Sequence, residues 1–171
     1  VGSATKVIDA LRATNQSTFE IWAMPANLSQ NGPARMISIG SDAAAQNIVL
    51  GQERDDVQIR LLHPGKDYKA RPRLTTTDGF LTTGLTHIVH TFDGAVERLY
   101  INGVLHPESV AATGDYSNWD GADQLNIGNE ASMDRSWSGT IRLVAIYDRA
   151  LSETDILQNF DAGPAGGGTA Q

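Results

Sequence analysis

The chain contains no cysteine, which excludes disulfides, thiolate metal sites and cysteine nucleophiles. No apolar run approaches the roughly 18 residues of a membrane-spanning helix. No charged-then-apolar leader is visible; the sequence opens at Val1 within what reads as folded chain, as an excised module of a larger protein would. Basic residues are outnumbered, 13 against 20 acidic, for a formal charge of −7. The acidic surplus is spread along the chain and there is no basic stripe. It therefore reads as a solvated surface and argues against nucleic acid and anionic membranes as partners. The four histidines, His63, His87, His90 and His106, lack zinc-site spacing. His87 and His90 are three apart, on opposite faces of a strand, and each reads as a hydrogen-bonded structural residue.

What is present is a succession of short apolar stretches separated by turn signals. Thr18–Met24 alternates and stops at Pro25, Arg35–Gly40 and Asn47–Gly51 flank a polar loop, and Val57–Leu62 ends in a His-Pro-Gly turn. Leu85–Phe92 and Ala95–Ile101 flank Asp93-Gly94, a hairpin signal because these residues tolerate positive φ. Gln124–Gly128 and Gly139–Tyr147 supply two further strands, and the polar stretch Pro107–Asp123 reads as an ordered long loop. Val7–Leu11 reads as a first strand, with a helical turn close behind. Ser152 can cap a closing helix with Glu153 and Asp155 in its first turn and Gly163 beyond its end. About eight to ten strands without intervening long helices predict an all-β, two-sheet antiparallel sandwich with a short C-terminal helix. One domain is expected over 1–163, followed by a flexible Gly-rich tail or linker start over 164–171.

These segments together resemble the LamG-like branch of the concanavalin A-like lectin and glucanase superfamily, in its bacterial form. The resemblance is carried by Thr18–Ala23, Thr86–Val89, Arg98–Gly103, Ser117–Asp120, Leu125–Glu130, Trp137–Ile141, and the run Val144–Ser152 leading to Asn159-Phe160. It implies a jelly roll whose members bind carbohydrate or protein, sometimes with calcium, as accessory modules of secreted or envelope-associated proteins. It also implies that a first N-terminal strand is missing or supplied differently.

The period-two rule sorts the strand residues onto faces. Glu20, Trp22, Gln58, Arg60, Arg98, Tyr100 and Asn126 are expected together on the outer face of a curved sheet. There they would give a sugar the aromatic planes and fixed polar groups it needs. The competing expectation is that Trp22 and Tyr100 are packing residues. Trp119, in a polar loop, is a further ligand-stacking candidate or else the pin of that loop. Asn129, Glu130 and Arg135 read as a loop tied down by an ion pair. Loop carboxylates at Asp42, Glu53, Asp55, Asp56, Asp93, Asp115, Asp120, Asp123 and Asp134 make calcium a candidate cofactor without selecting its ligands.

No catalytic residues are assigned. Glycoside hydrolysis needs paired carboxylates, and Glu20 and Glu97 are isolated in the sequence. His90, Tyr100 and Arg60 could be assembled into a lyase site, but no motif joins them. The expectation is thus a non-catalytic module of a larger, extracellular or envelope-associated protein that binds carbohydrate. A protein-contacting or architectural module is the alternative, with a polysaccharide-active enzyme behind it. Neither oligomeric state nor ligand identity is encoded legibly.

Overall fold

The computed structural model describes residues 2–67, 70–77, 79–108 and 110–165. Eleven strands and two helices follow in the order α1 (Thr5–Thr14), β1 (Ser17–Pro25), β2 (Ala34–Gly40), β3 (Gln46–Glu53), β4 (Asp56–Leu61), β5 (Leu74–Thr75), β6 (Thr86–Phe92), β7 (Val96–Ile101), β8 (Val104–Leu105), β9 (Val110–Ala111), β10 (Gln124–Ile127), β11 (Gly139–Tyr147) and α2 (Glu153–Ala162). One sheet runs β11-β1-β6-β7-β8, with β9 also paired to β7. The other runs β10-β2-β3-β4-β5, and every pairing is antiparallel. This is the expected jelly-roll sandwich with a short C-terminal helix.

Alternation places Phe19 and Ile21 of β1, Ile88 and Phe92 of β6, and Leu99 of β7 on the inward face of the six-stranded sheet. They meet Ile37, Ile39, Ile48, Leu50, Ile59 and Leu61 from the five-stranded sheet in one continuous core. That leaves the opposite face of each sheet available for function. The two turns of the β6–β7–β8 meander form where the sequence signals them. Gly94 has φ 89°, and Asn102 and Gly103 have φ 51° and 78°. Gly103 has a second constraint, since a Cβ there would meet the Phe160 ring at 3.1–3.2 Å.

The segment expected as a first strand is α1. Ala4, Val7, Ile8 and Leu11 recur at helical spacing and bury one stripe against the end of the sandwich. Asn15, at φ 54°, closes the helix with its N–H on the Leu11 carbonyl. At the other end of the chain, Ser152 caps α2 as expected. Its hydroxyl accepts from the Asp155 N–H, while the Asp155 carboxylate accepts from the Ser152 N–H. Of the glycine-rich tail, residues 166–171 lie outside the described residues.

Candidate functional site

The residues expected on one shared face belong to two sheets. Glu20, Trp22, Arg98 and Tyr100 lie on β1 and β7 of the six-stranded sheet, whereas Gln58, Arg60 and Asn126 lie on β4 and β10 of the five-stranded one. Alternation fixes which residues share a strand face, but says nothing about which sheet the strand joins.

Helix α2 lies across the outer face of the six-stranded sheet. Trp22, His87 and Phe160 of α2 form a mutual ring cluster, with centroids 4.8 Å apart for Trp22 and His87, 5.7 Å for Trp22 and Phe160, and 5.8 Å for His87 and Phe160. Tyr100 packs with Val89, Leu151 and Ile156 in a second apolar cluster. Glu20 is 3% exposed: its Oε1 meets His87 Nε2 at 2.9 Å, and its Oε2 accepts from the Tyr147 hydroxyl at 3.1 Å and Asn159 Nδ2 at 2.8 Å. Burial alone would raise this carboxyl. The His87 hydrogen bond and charge, with the Tyr147 and Asn159 hydrogen bonds, hold it below the usual carboxylate range. Arg98 is half-buried and paired with Asp93. Trp119 is a loop pin: it is buried against Tyr116 at 4.3 Å, and its indole N–H donates to the Leu62 carbonyl at 2.7 Å.

Glu97, the other isolated acid of the sequence, is fully buried with Lys66 and His90 as partners. Burial would raise its carboxyl, but the hydrogen bond and charge of His90 and the Lys66 ammonium hold it low. Both acids are therefore ionised and fully engaged in the fold.

The outer face of the five-stranded sheet is built differently. Register sets Asn126, Ser38, Val49 and Arg60 in one row across β10, β2, β3 and β4, and Arg35, Gly51, Gln58 and Thr75 in the next. Arg60 donates from Nε to Gln58 Oε1 at 2.9 Å and from Nη2 to the Gly32 carbonyl at 3.3 Å. Arg35 is completely buried and donates to the Pro33 carbonyl at 2.9 Å, the Ala43 carbonyl at 3.4 Å and Gln46 Oε1 at 3.3 Å.

Above these two, Arg60, Arg71, Arg73 and Arg135 line a cavity of about 270 Å³ with Ala43, Ala44 and Gln46. Five of the chain's ten arginines thus gather at one place on an acidic protein. Burial, then the neighbouring Arg73 and Arg35 charges, push the Arg60 guanidinium down to about 9. Arg35 is lowered chiefly by its burial. Both remain cationic at neutral pH. Among the described residues, no carboxylate pairs with Arg35, Arg60, Arg73 or Arg135 within 4.0 Å. Arg71 Nε lies 3.9 Å from Asp67 Oδ2.

The rim is held by loops. The Arg135 carbonyl accepts from the Arg35 N–H at 2.9 Å, which aligns the loop after β10 with β2. The Asn129 side chain secures the same loop by accepting from the Glu130 and Arg135 N–H groups. The expected Glu130–Arg135 ion pair is not what ties it, because Glu130 bonds Ser132 and its Oε2 has no partner among the described residues. The Arg135 side chain passes over Gly32, where a Cβ would lie 3.1 Å from Arg135 Cδ. Gln52 joins the supporting segments, with Nε2 donating to the Asn27 and Arg54 carbonyls and Oε1 accepting from Gln30 Nε2 and the Trp137 indole.

Among the described residues, no three His, Asp or Glu side chains converge to hold a metal. Asp42 and Asp120 accept from nearby backbone N–H groups in their own turns, and Asp115 does the same from Ser117. Asp120 and Asp42 lie near enough to Asp123 to add to the effect of its burial, and together they push that carboxyl up to about 6.

The fold recurs in solved structures. The CBM40 of the Ruminococcus gnavus IT-sialidase, solved with α2,3-sialyllactose, superposes with a TM-score of 0.67 at 16% identity, covering 92% of this chain and 90% of that one. Domain 4 of the Geobacillus stearothermophilus arabinanase AbnA, solved with arabinotriose, gives 0.61 at 21% identity, covering 84% and 66%. The SAP-like pentraxin of Limulus polyphemus gives 0.60 at 15%, covering 84% and 69%. At these identities the likeness is one of fold. No curated protein matches the sequence. Residues 2–157, however, match the family described as the concanavalin A-like lectin/glucanases superfamily, and the chain belongs to it.

Proposed function

We propose that this domain is a non-catalytic carbohydrate-binding module, and that it takes its ligand on the outer face of the five-stranded sheet, at Arg60, Gln58 and Asn126 and the arginine-lined cavity beside them. The carrying observation is that cavity. It is an uncovered concavity with several fixed hydrogen-bond donors, of a size to admit one sugar unit rather than the roughly 300–1,000 Å³ of a pocket for a larger small molecule. The corresponding face of the other sheet is covered by α2. Support also comes from two fold relatives solved with bound oligosaccharides. The two acids that stand out in the sequence, Glu20 and Glu97, are each engaged in a separate buried network rather than paired with one another.

Such a module would work as part of a larger extracellular or envelope-associated protein, bringing its neighbours to a glycan. Calcium is not required by this reading. The test is a glycan array covering plant, algal, bacterial and animal sugars, run with the wild type, Arg60→Gln and Asn126→Ala, with and without calcium. Binding that is lost in the two variants while their melting temperatures hold is the expected result. Silence across the array, or binding indifferent to both substitutions, would overturn the proposal.

A further inference from the structure

The arginine cavity specifies more than a sugar. A pocket for a neutral glycan is commonly lined by aromatic planes with a few amides and carboxylates. Here the lining is Arg60, Arg71, Arg73 and Arg135 with Gln46 against a wall of Ala43 and Ala44, and among the described residues no aromatic side chain lines it. Arg35 adds a fifth guanidinium beneath the floor, bonded to Ala43 and Gln46 of the lining. The Nε atoms of both Arg35 and Arg73 are buried without a hydrogen-bond partner among the described residues.

Like charges brought together repel, and buried donors left unpaired cost stability. A protein with 20 acidic residues has ample means to neutralise the cluster, yet four of these arginines have no carboxylate within 4.0 Å among the described residues. Arginine is also the suited cation, because its planar fork matches an oxyanion with two parallel hydrogen bonds.

Resting on the carbohydrate reading above, we infer that the cavity takes an acidic sugar unit, with its carboxylate or sulfate ester held among Arg60, Arg73 and Arg135. The ligand oxyanion supplies the direct ion pair that the fold leaves unmade, since Glu53, Glu130 and Asp134 act on the cluster only from longer range. Asn126 and Gln58, on neighbouring strands, are placed for the sugar's hydroxyls. Arg71, the most exposed of the lining arginines, draws the anion in from the rim.

The experiment is a calorimetric titration of the intact 171-residue chain with matched sugar pairs that differ only in charge. Oligogalacturonate is set against its methyl ester, sialyllactose against lactose, and a chondroitin sulfate disaccharide against its desulfated form. At least one acidic member should bind ten-fold or more tightly than its neutral partner and weaken as salt rises. Arg60→Gln and Arg73→Gln should each lose ten-fold or more. The uronate and sialyl pairs against the sulfate pair then identify the oxyanion. Arg135→Gln serves as the third variant should either of the others melt early.

Neutral partners bound as tightly as acidic ones, with binding still lost in Arg60→Gln, would overturn the acidic assignment and leave the carbohydrate reading of this face standing. Acidic sugars bound equally by Arg60→Gln and Arg73→Gln would place the site elsewhere and overturn the inference. No binding by any pair would overturn it together with the proposal it rests on.

Discussion

On the six-stranded sheet the outward Glu20 has three side-chain partners and sits beneath a helix. On the five-stranded sheet the outward Arg60 has one amide and one carbonyl, and three arginines outweigh Glu53 among its charged neighbours. Both faces are strand surfaces with a similar mixture of charged and polar residues. They differ in completion: α2 brings Phe160, Asn159 and Ile156 to one sheet, while on the other the loop after β10 reaches Ser38 and Arg35 and leaves the arginine-lined cavity beside them. A face satisfied from within the chain contributes to stability. One left with surplus charge of a single sign contributes to recognition, at some expense to stability.

That contrast can be broken by mutation, beginning with the covered face. Trp22→Ala removes the largest ring of the cluster with His87 and Phe160 and should destabilise the domain by about 3–5 kcal/mol, read by urea denaturation. A loss under 1 kcal/mol would mean that α2 is not seated there. Ile156→Ala, from the helix side of the same contact, should cost about 2–4 kcal/mol, with the far-ultraviolet signal of α2 following the global transition. Independent early melting of the helix would separate it from the sandwich.

Glu20 sharpens the comparison through pH. Its folded pKa lies below the ordinary value of 4.5, so its contribution is fully present above the unfolded value and is lost as pH falls through the folded one. The stability gap between the wild type and Glu20→Gln should therefore be widest near neutral pH and narrow below about pH 4.5. A gap that is constant with pH would show that the carboxylate's charge is immaterial. The smallest effect belongs to the open face. Arg60→Gln forfeits two hydrogen bonds but relieves repulsion from Arg35 and Arg73, so its stability should stay within about 1 kcal/mol of the wild type. A loss above about 2 kcal/mol would make Arg60 a structural residue like Glu20.

Local chemistry accounts for how much of this was legible. Alternation and turn residues reveal β1–β4, β6, β7, β10 and β11, and the Ser152 cap reveals α2, because these signals lie within a few neighbouring residues. The two-residue strands β5, β8 and β9 are too short to alternate. Helix α1 escaped because Val7-Ile8 reads as β-branched, although the stripe at Ala4, Val7, Ile8 and Leu11 was available. At the candidate site, Gln58, Arg60 and Asn126 could be named from strand parity. Arg71, Arg73 and Arg135 come from segments far apart in sequence and meet only through the fold. The available signal was compositional: ten arginines against three lysines marks a chain that favours planar, forked donors over point charges. Trp22 and Tyr100 have the correct parity for an outer face, but parity carries no information about a helix arriving some fifty residues or more later.

Gln52 has a consequence of its own. All four hydrogen-bonding positions of its amide are filled, two by carbonyls and two by N–H groups, so the group has one orientation and cannot be flipped without setting like against like. Glutamate, its nearest isostere, would turn both donors into acceptors aimed at carbonyl oxygens, and leucine would remove all four hydrogen bonds at once. Position 52 is therefore a keyed joint: it accepts a single side chain in a single pose. Through the loops it fastens, the alignment of Gly32 and Arg135 at the mouth of the cavity is inherited from an amide that no ligand touches.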